Sequence, residues 1–443
     1  MEKKLVKKIA FIVLVLAFLI VAPLLILNTQ GYRLDLKKMK IVETGGLSIK
    51  TSVPEVSIFI NDQYKNKTSN FSKDLLIQNL TPGEYKVRVE KTNYQVWEKT
   101  LNIEEKKVTK AENIYLFPKN IPFQIYKENI KDFFVSPDNK KIIFLTKNNE
   151  IVSSENKIIL NPEKYFADIE KIEFFGNGNK IIIKGENSLN QPIYYYLDTT
   201  NPSSLTRLKM MEKAEDYKLE EETIVYSLDH QILRYNPSLK TSEALKTSAE
   251  AFILKDFYNL YTIENGLLVR TNLLSKNQEN LTEKPLKLKE YKLFTIADKI
   301  FVFDESSSLY LFNENKKDWD LFLKTTNNFD YKTRADKVIF SNGYELWLLL
   351  LKDFDSPFFQ KSGSLIFLSR FSSTINDLAW FNDDYFFYLL SNNLMISEID
   401  NRDRINAFSV TNLPVKKFWF DEKEKLIYLL SDDNKLYVSN KIN

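Results

Sequence analysis

Between Lys141 and Asn440 one pattern is written eight times: a strand of aromatic and branched aliphatic residues, a short polar turn, then a second strand rich in Leu, Ile and Tyr. The first four copies pair Ile142–Leu145 with Glu150–Val152, Ile181–Ile183 with Ile193–Leu197, Ile224–Tyr226 with Ile232–Tyr235, and Leu260–Ile263 with Leu267–Val269. The last four pair Ile300–Phe303 with Leu309–Phe312, Val338–Phe340 with Leu346–Leu348, Phe386–Leu390 with Leu394–Ile396, and Leu426–Leu430 with Leu436–Val438. The copies recur about every 40 residues, the period of a β-propeller blade. A lone blade has two exposed faces and two bare edges. Radial stacking covers the faces, so repetition itself is the stabilising device. The spacing predicts eight blades, with seven as the alternative because the step from Val338 to Phe386 is 48 residues.

Tight turns punctuate the copies at Asn148-Asn149, Asn265-Gly266, Asn342-Gly343, Ser391-Asn392-Asn393 and Asp432-Asp433-Asn434. Asn-Gly between apolar runs is a hairpin signal, because the favoured two-residue turn needs positive φ at both positions. A further short strand precedes several hairpins, as at Lys131–Val135, Lys171–Phe175, Asp377–Phe381 and Lys416–Phe420. The link Ser136-Pro137-Asp138-Asn139-Lys140 resembles the SPDGK turn of TolB-type propeller repeats, while Gly176-Asn177-Gly178-Asn179 and Asn382-Asp383-Asp384 hold only its position. The eighth copy runs out after three strands, so Pro122–Lys127 is expected to supply the fourth and close the ring.

Ile9–Leu27 is an uncharged apolar run, long enough as a helix to cross roughly 28 Å of hydrocarbon. Lys3, Lys4, Lys7 and Lys8 precede it and favour a cytoplasmic amino terminus; Arg33, Lys37, Lys38 and Lys40 follow it. A cleaved signal peptide is the rival, but Leu27-Asn28-Thr29-Gln30 offers no small-residue cleavage site. The expected organisation is a cytoplasmic tail (1–8), a transmembrane anchor (9–27), a linker (28–44), a small β-sandwich (45–118) and the propeller (119–443). This places a single-pass protein in the cytoplasmic membrane with the bulk of its chain outside the cytoplasm. Residues 1–40 hold eight Lys/Arg against Glu2 and Asp35, a net +6, so of the chain's +3 the remaining residues carry −3. The folded part has no basic excess for nucleic acid. A 44% hydrophobic, 14% aromatic composition excludes disorder, and the absence of cysteine removes disulfides and thiolate chemistry.

Four segments from Leu47 to Ile103 alternate apolar and polar residues, the mark of a sheet with one buried face: Leu47–Thr51, Val56–Ile60, Tyr85–Val89 and Val96–Ile103. Gly46–Ile49, Pro54–Ser57 leading into Ile58–Asp62, Thr68, Leu80–Val87, and Tyr94 near Trp97 resemble the PEGA domain, a small β-sandwich of bacterial envelope and surface proteins. Val56 and Ser57 stand where the name-giving motif has Gly and Ala, and Asn93 where a Gly usually precedes the Tyr. The resemblance implies an envelope location with a spacer or binding role and brings no established reaction. Gly83, in the Pro82-Gly83 turn, is expected at positive φ, and Trp97 under the sheet.

Candidate chemistry is sparse. His230 is the only histidine and falls in a turn; no G-x-S-x-G, H-E-x-x-H, P-loop or calcium loop is present, and Gly176-Asn177-Gly178 lacks the rest of a dinucleotide site. Asp383-Asp384 and Asp432-Asp433 read as solvated turn acids rather than a glycosidase pair. Trp347, Trp380 and Trp419 lie in strand patterns and read as core, leaving Trp319 as the tryptophan expected at the surface. No catalytic, cofactor-binding or metal-ligating residue is nominated. The sequence supports a non-catalytic, membrane-anchored scaffold whose propeller binds an envelope protein or polysaccharide; the alternative is a propeller hydrolase or lyase acting on extracellular polysaccharide. Acids, tyrosines and arginines converging from several blades in the central channel would favour the enzyme, and an apolar or mixed lining the binder.

Overall fold

The computed structural model describes residues 2–29, 31–35, 40–176, 178–304, 308–324, 329–355 and 359–442. Lys37, Lys38 and Asn177 lie outside the described residues, as do the side chains of Lys3, Lys4 and Lys7. The long helix Glu2–Thr29 contains Ala10–Leu27, a stretch long and apolar enough to cross a membrane, with Pro23 inside it. The segment expected to be a plain linker contains a two-stranded ribbon, Tyr32–Asp35 against Lys40–Glu43. Cross-strand polar pairing fixes it: the Tyr32 hydroxyl donates to Glu43 at 2.8 Å, and the Thr44 N–H donates to the Gly31 carbonyl at 2.7 Å.

Two sheets follow. Gly45–Thr51 lies between antiparallel Asp74–Leu80 and parallel Val108–Ile114. The second sheet runs in the order Gln63–Lys67, Ser57–Ile60, Gly83–Glu90, Trp97–Ile103. Their facing sides bury Leu47, Ile49, Ile58, Val87, Val89 and Trp97. Thr68 is buried and accepts from the Val56 N–H at 2.8 Å, tying the Pro54-Glu55 turn to the next strand. Gly83 has φ +148°, a conformation closed to most side chains, as expected.

Among the described residues eight four-stranded sheets make the propeller. Each repeat identified above supplies the second and third strands of a blade. The fourth strand of blade 8 is Phe123–Lys127, antiparallel to Leu436–Ser439, as the truncated last copy required. Ile130, Phe133 and Phe144 of blade 1 pack on Leu430 and Leu436 of blade 8, so the ring closes through apolar contact as well as strand pairing. The long step after Val338 does not remove a blade. It is a loop between the third strand, Glu345–Leu350, and the fourth, Leu365–Arg370, of blade 6. Asn265 and Gly266 have φ of +51° and +77°, the left-handed pair that a two-residue hairpin needs.

The sandwich sits on blade 7. Tyr115 and Phe117 meet Phe381 edge to face, with ring centroids 4.7 and 6.0 Å away. Beside them Lys99, on the same strand face as Trp97 and Leu101, is completely buried. Its ammonium lies 2.8 Å from Glu398 and donates to the carbonyls of Asp400, Arg402 and Arg404 at 2.7–3.0 Å. Glu398, only 3% exposed, also accepts from Trp97 Nε1 and from the backbone and side chain of Asn406 at 2.8–2.9 Å. Burial pushes its carboxyl up, against the pull of Lys99.

Two outcomes are expected. Replacing Phe123–Lys127 by a Gly/Ser stretch of equal length leaves Leu436–Ser439 as a bare edge; sedimentation should show concentration-dependent association, whereas a monodisperse, cooperatively melting variant would contradict the closure. Lys99→Met strands a buried carboxylate and should cost about 3–5 kcal/mol in urea unfolding, with Lys99→Met/Glu398→Leu recovering part of the loss. A single variant as stable as the wild type would dismiss the ion pair as a structural element.

Candidate functional site

The first strand of each blade lines the central channel, and its inner edge has no neighbouring strand. Unpaired backbone groups at an edge need acceptors. In four blades an aspartate folds back onto the N–H of the following residue: Asp132 on Phe133, Asp216 on Tyr217, Asp330 on Tyr331 and Asp377 on Leu378, at 2.7–2.8 Å. Asp318 does the same for Trp319 on an outer strand, the other kind of bare edge. The motif therefore belongs to sheet edges rather than to a reaction.

Lysines complete the lining. Lys417 of blade 8 meets Asp132 of blade 1 at 2.8 Å and lies over the ring of Phe134. Lys332 of blade 6 contacts Asp330 at 3.1 Å and reaches toward Asp377 of blade 7 at 3.8 Å. Lys218 pairs with Asp216, and Lys171 with Glu173, which also accepts from the Tyr217 hydroxyl. Burial pushes the Asp377 carboxyl up to about 6; Lys332 pulls it down and Asp330 pushes it further up. Burial, then the bond to Glu173, raises Tyr217. The lining is mixed, with acids held by lysines or backbone N–H groups.

Toward the turns that link first and second strands the channel widens into a cavity of about 970 Å³, reached from blades 1 to 6. Phe174, Phe294 and Tyr331 form half-buried parts of its wall, and Glu220-Glu221-Glu222 occupy one turn at its rim. Glu220 is held by Arg234 at 3.1 Å and Glu222 by Lys180.

The residues singled out by sequence are scattered. His230 and Asp229, with φ of +61° and +50°, form the hairpin turn between the second and third strands of blade 3. Asp383 is solvated as expected, exposed while it binds Arg334 at 2.5 Å, whereas Asp384 is partly covered and accepts from Asn113 of the sandwich at 2.9 Å. Asp432 accepts from Asn392 at 3.1 Å and Asp433 from the Tyr437 hydroxyl at 2.9 Å. Trp319, expected at the surface, is 9% exposed and packs on Phe312 in the fourth strand of blade 5. The reason is that its strand alternates and the charged Lys316 and Lys317 precede it in the turn. Trp380 is buried, while Trp347 and Trp419 are half-buried against Phe367 and Tyr428. Among the described residues no three His, Cys, Asp or Glu side chains gather where a metal could bind. Sequence reasoning passed over Lys99 and the edge-capping aspartates. Both had signals: a lysine at an inward position of Val96–Ile103, and Asp before an apolar residue at the start of inner strands.

Residues 44–114 match the PEGA domain family. No curated protein sequence matches the chain significantly. Similar solved structures include BamB from Moraxella catarrhalis (9% identity, covering 72% of this chain and 98% of that one, TM-score 0.44). Kluyveromyces lactis Hsv2 shows 15% identity over 72% of this chain and 99% of its own, with a TM-score of 0.40. An oligogalacturonate lyase in complex with manganese shows 10% identity over 72% and 96%, with a TM-score of 0.37. These identities carry no residue's role across.

An unfolded aspartate titrates near 3.9, whereas folded Asp377 titrates near 6. Because the folded state holds this proton more tightly, its contribution to stability is complete below about pH 4 and is lost as pH rises through about 6. Asp377→Asn should therefore gain stability relative to the wild type between about pH 4 and pH 7. Urea midpoints measured across that range check it; parallel curves would remove Asp377 as a buried titrating group.

Proposed function

We propose that this chain, a PEGA domain followed by an eight-bladed propeller behind an apolar amino-terminal helix, is a membrane-anchored, extracytoplasmic and non-catalytic scaffold. Its propeller binds a protein or polysaccharide of the cell envelope. The observation that carries this reading is the mixed channel lining, in which acids from several blades are held by lysines or spent on backbone N–H groups. Carboxylates so engaged are poorly placed for the paired acid and base work of glycoside cleavage. The joint on blade 7 supports a spacer role for the PEGA domain, since a rigid sandwich would hold the propeller at a set distance from the membrane. The lysines before the apolar helix support an amino terminus retained in the cytoplasm.

One observation favours a hydrolase or lyase instead: Asp377, a channel carboxyl whose titration is moved toward neutrality by burial, as acid–base groups often are. The two readings separate in one experiment. The detergent-solubilised full chain, incubated with isolated envelope, is expected to retain a specific component and release no sugar fragments. Release of fragments that is lost in Asp377→Asn would establish the enzyme. On intact spheroplasts, added protease should digest the propeller; full protection would reverse the topology.

A further inference from the structure

The cavity of about 970 Å³ at the wide end of the channel has a lining that suits an occupant. Its wall combines two features that suit a ligand. Phe174, Phe294 and Tyr331, on the first strands of blades 2, 5 and 6, pack on the blade cores with part of each ring and leave the rest in the cavity wall, half-buried. Phe257 at the rim is 59% exposed and lies against the guanidinium of Arg234, 4.7 Å from its ring centre. The second feature is charge. Glu220, Glu221, Glu222 and Asp256 line the mouth with Lys218 and Lys255. Lys218 is paired with Asp216 and Lys255 donates to the Asp298 carbonyl at 3.2 Å, while Glu220 and Glu222 are held by Arg234 and Lys180, so the paired charges of the mouth largely offset one another. Glu221 is exposed on this rim, and among the described residues no cation pairs with it.

Resting on the reading of the propeller as a binding scaffold, we propose that this mouth receives a basic, apolar-rich peptide segment of a partner protein. Lysine or arginine side chains of that segment meet Glu221 and its neighbours, and its aromatic or aliphatic side chains meet Phe174, Phe257, Phe294 and Tyr331. Charge complementarity selects a cationic occupant, and aromatic faces accept both apolar groups and cations. A volume of about 970 Å³ suits a short extended segment rather than a folded domain. A sugar chain fits less well. Carboxylates and aromatic faces take sugar hydroxyls and rings too, but a neutral sugar brings no positive charge to meet Glu221. Nucleic acid is opposed by the acids.

The test uses the full chain in detergent micelles and a fluorescein-labelled peptide in which lysine alternates with phenylalanine and leucine. Fluorescence anisotropy in about 0.15 M salt is expected to show saturable binding, weakened about tenfold or more by Glu221→Lys and by Phe257→Ala. Glu155→Lys, an exposed charge reversal in blade 1 away from the cavity, should bind like the wild type, and the glutamate counterpart of the peptide should not bind. Thermal melts of the exposed-site variants confirm that the fold is kept. Binding insensitive to Glu221→Lys, or shared by the glutamate peptide, overturns the proposal. So does retention of chito-oligosaccharide, but not of the peptide, with loss in Phe257→Ala. In that last case the scaffold reading survives, whereas cleavage of the oligosaccharide would defeat the scaffold reading itself.

Discussion

A buried ammonium holds the two halves of this protein in one arrangement. Lys99 leaves water entirely and recovers its hydration from three carbonyls of the Asp400–Arg404 loop and from Glu398. Desolvating two charges is expensive, and attraction offsets it only where every donor and acceptor is satisfied. Here both partners are. The four acceptors around Lys99 and the donors on Glu398 leave little freedom for any other docking angle, while Tyr115 and Phe117 add apolar contact with Phe381 beside them. Apolar contact alone tolerates sliding; a caged ion pair does not. What the propeller presents relative to the PEGA domain is therefore decided at blade 7.

The propeller rests on a different constraint, the treatment of strand edges. Radial stacking buries the blade faces, and Phe123–Lys127 covers the outer edge that the short final repeat leaves bare. The inner edges cannot be paired, because the strands diverge around the axis. Aspartates folded onto the next N–H and lysines crossing to the neighbouring blade satisfy those edges one group at a time. The same groups give the narrow part of the channel its mixed charge. Polarity there is thus first a consequence of architecture, and the wider mouth, with its half-buried aromatic residues and a Glu221 that no cation pairs with among the described residues, is where recognition has room to act.

Much of this was legible in the chain itself. Period-two alternation and a step of about 40 residues identified the blades, because side chains on a strand must alternate between faces and each blade must present two apolar ones. The early end of the eighth repeat called for Phe123–Lys127. Trp97 followed from the PEGA-like pattern and Gly83 from the Pro82-Gly83 turn. Trp319 shows the limit of such reading: flanking charges suggested exposure, yet the strand's alternation turns the indole inward onto Phe312. Asp384 shows another, since an acid in a turn is solvated only if nothing is packed on that turn, and Asn113 is.

The sequence by itself determined the strands, their grouping into repeats, the closure of the ring and the apolar helix, because these depend on local periodicity and on burying one face of each strand. It could not determine which residues meet across hundreds of positions. Lys99 and Glu398 lie 299 residues apart, and neither has a local reason to be charged and buried. Only the docked sandwich turns a lysine on an inward strand position into the centre of a carbonyl cage. Likewise, only the closed ring brings six blades around one cavity and leaves Phe174, Phe294, Tyr331 and Glu221 facing the same space. Long-range pairing is a property of assembled surfaces, and no period along the chain encodes it.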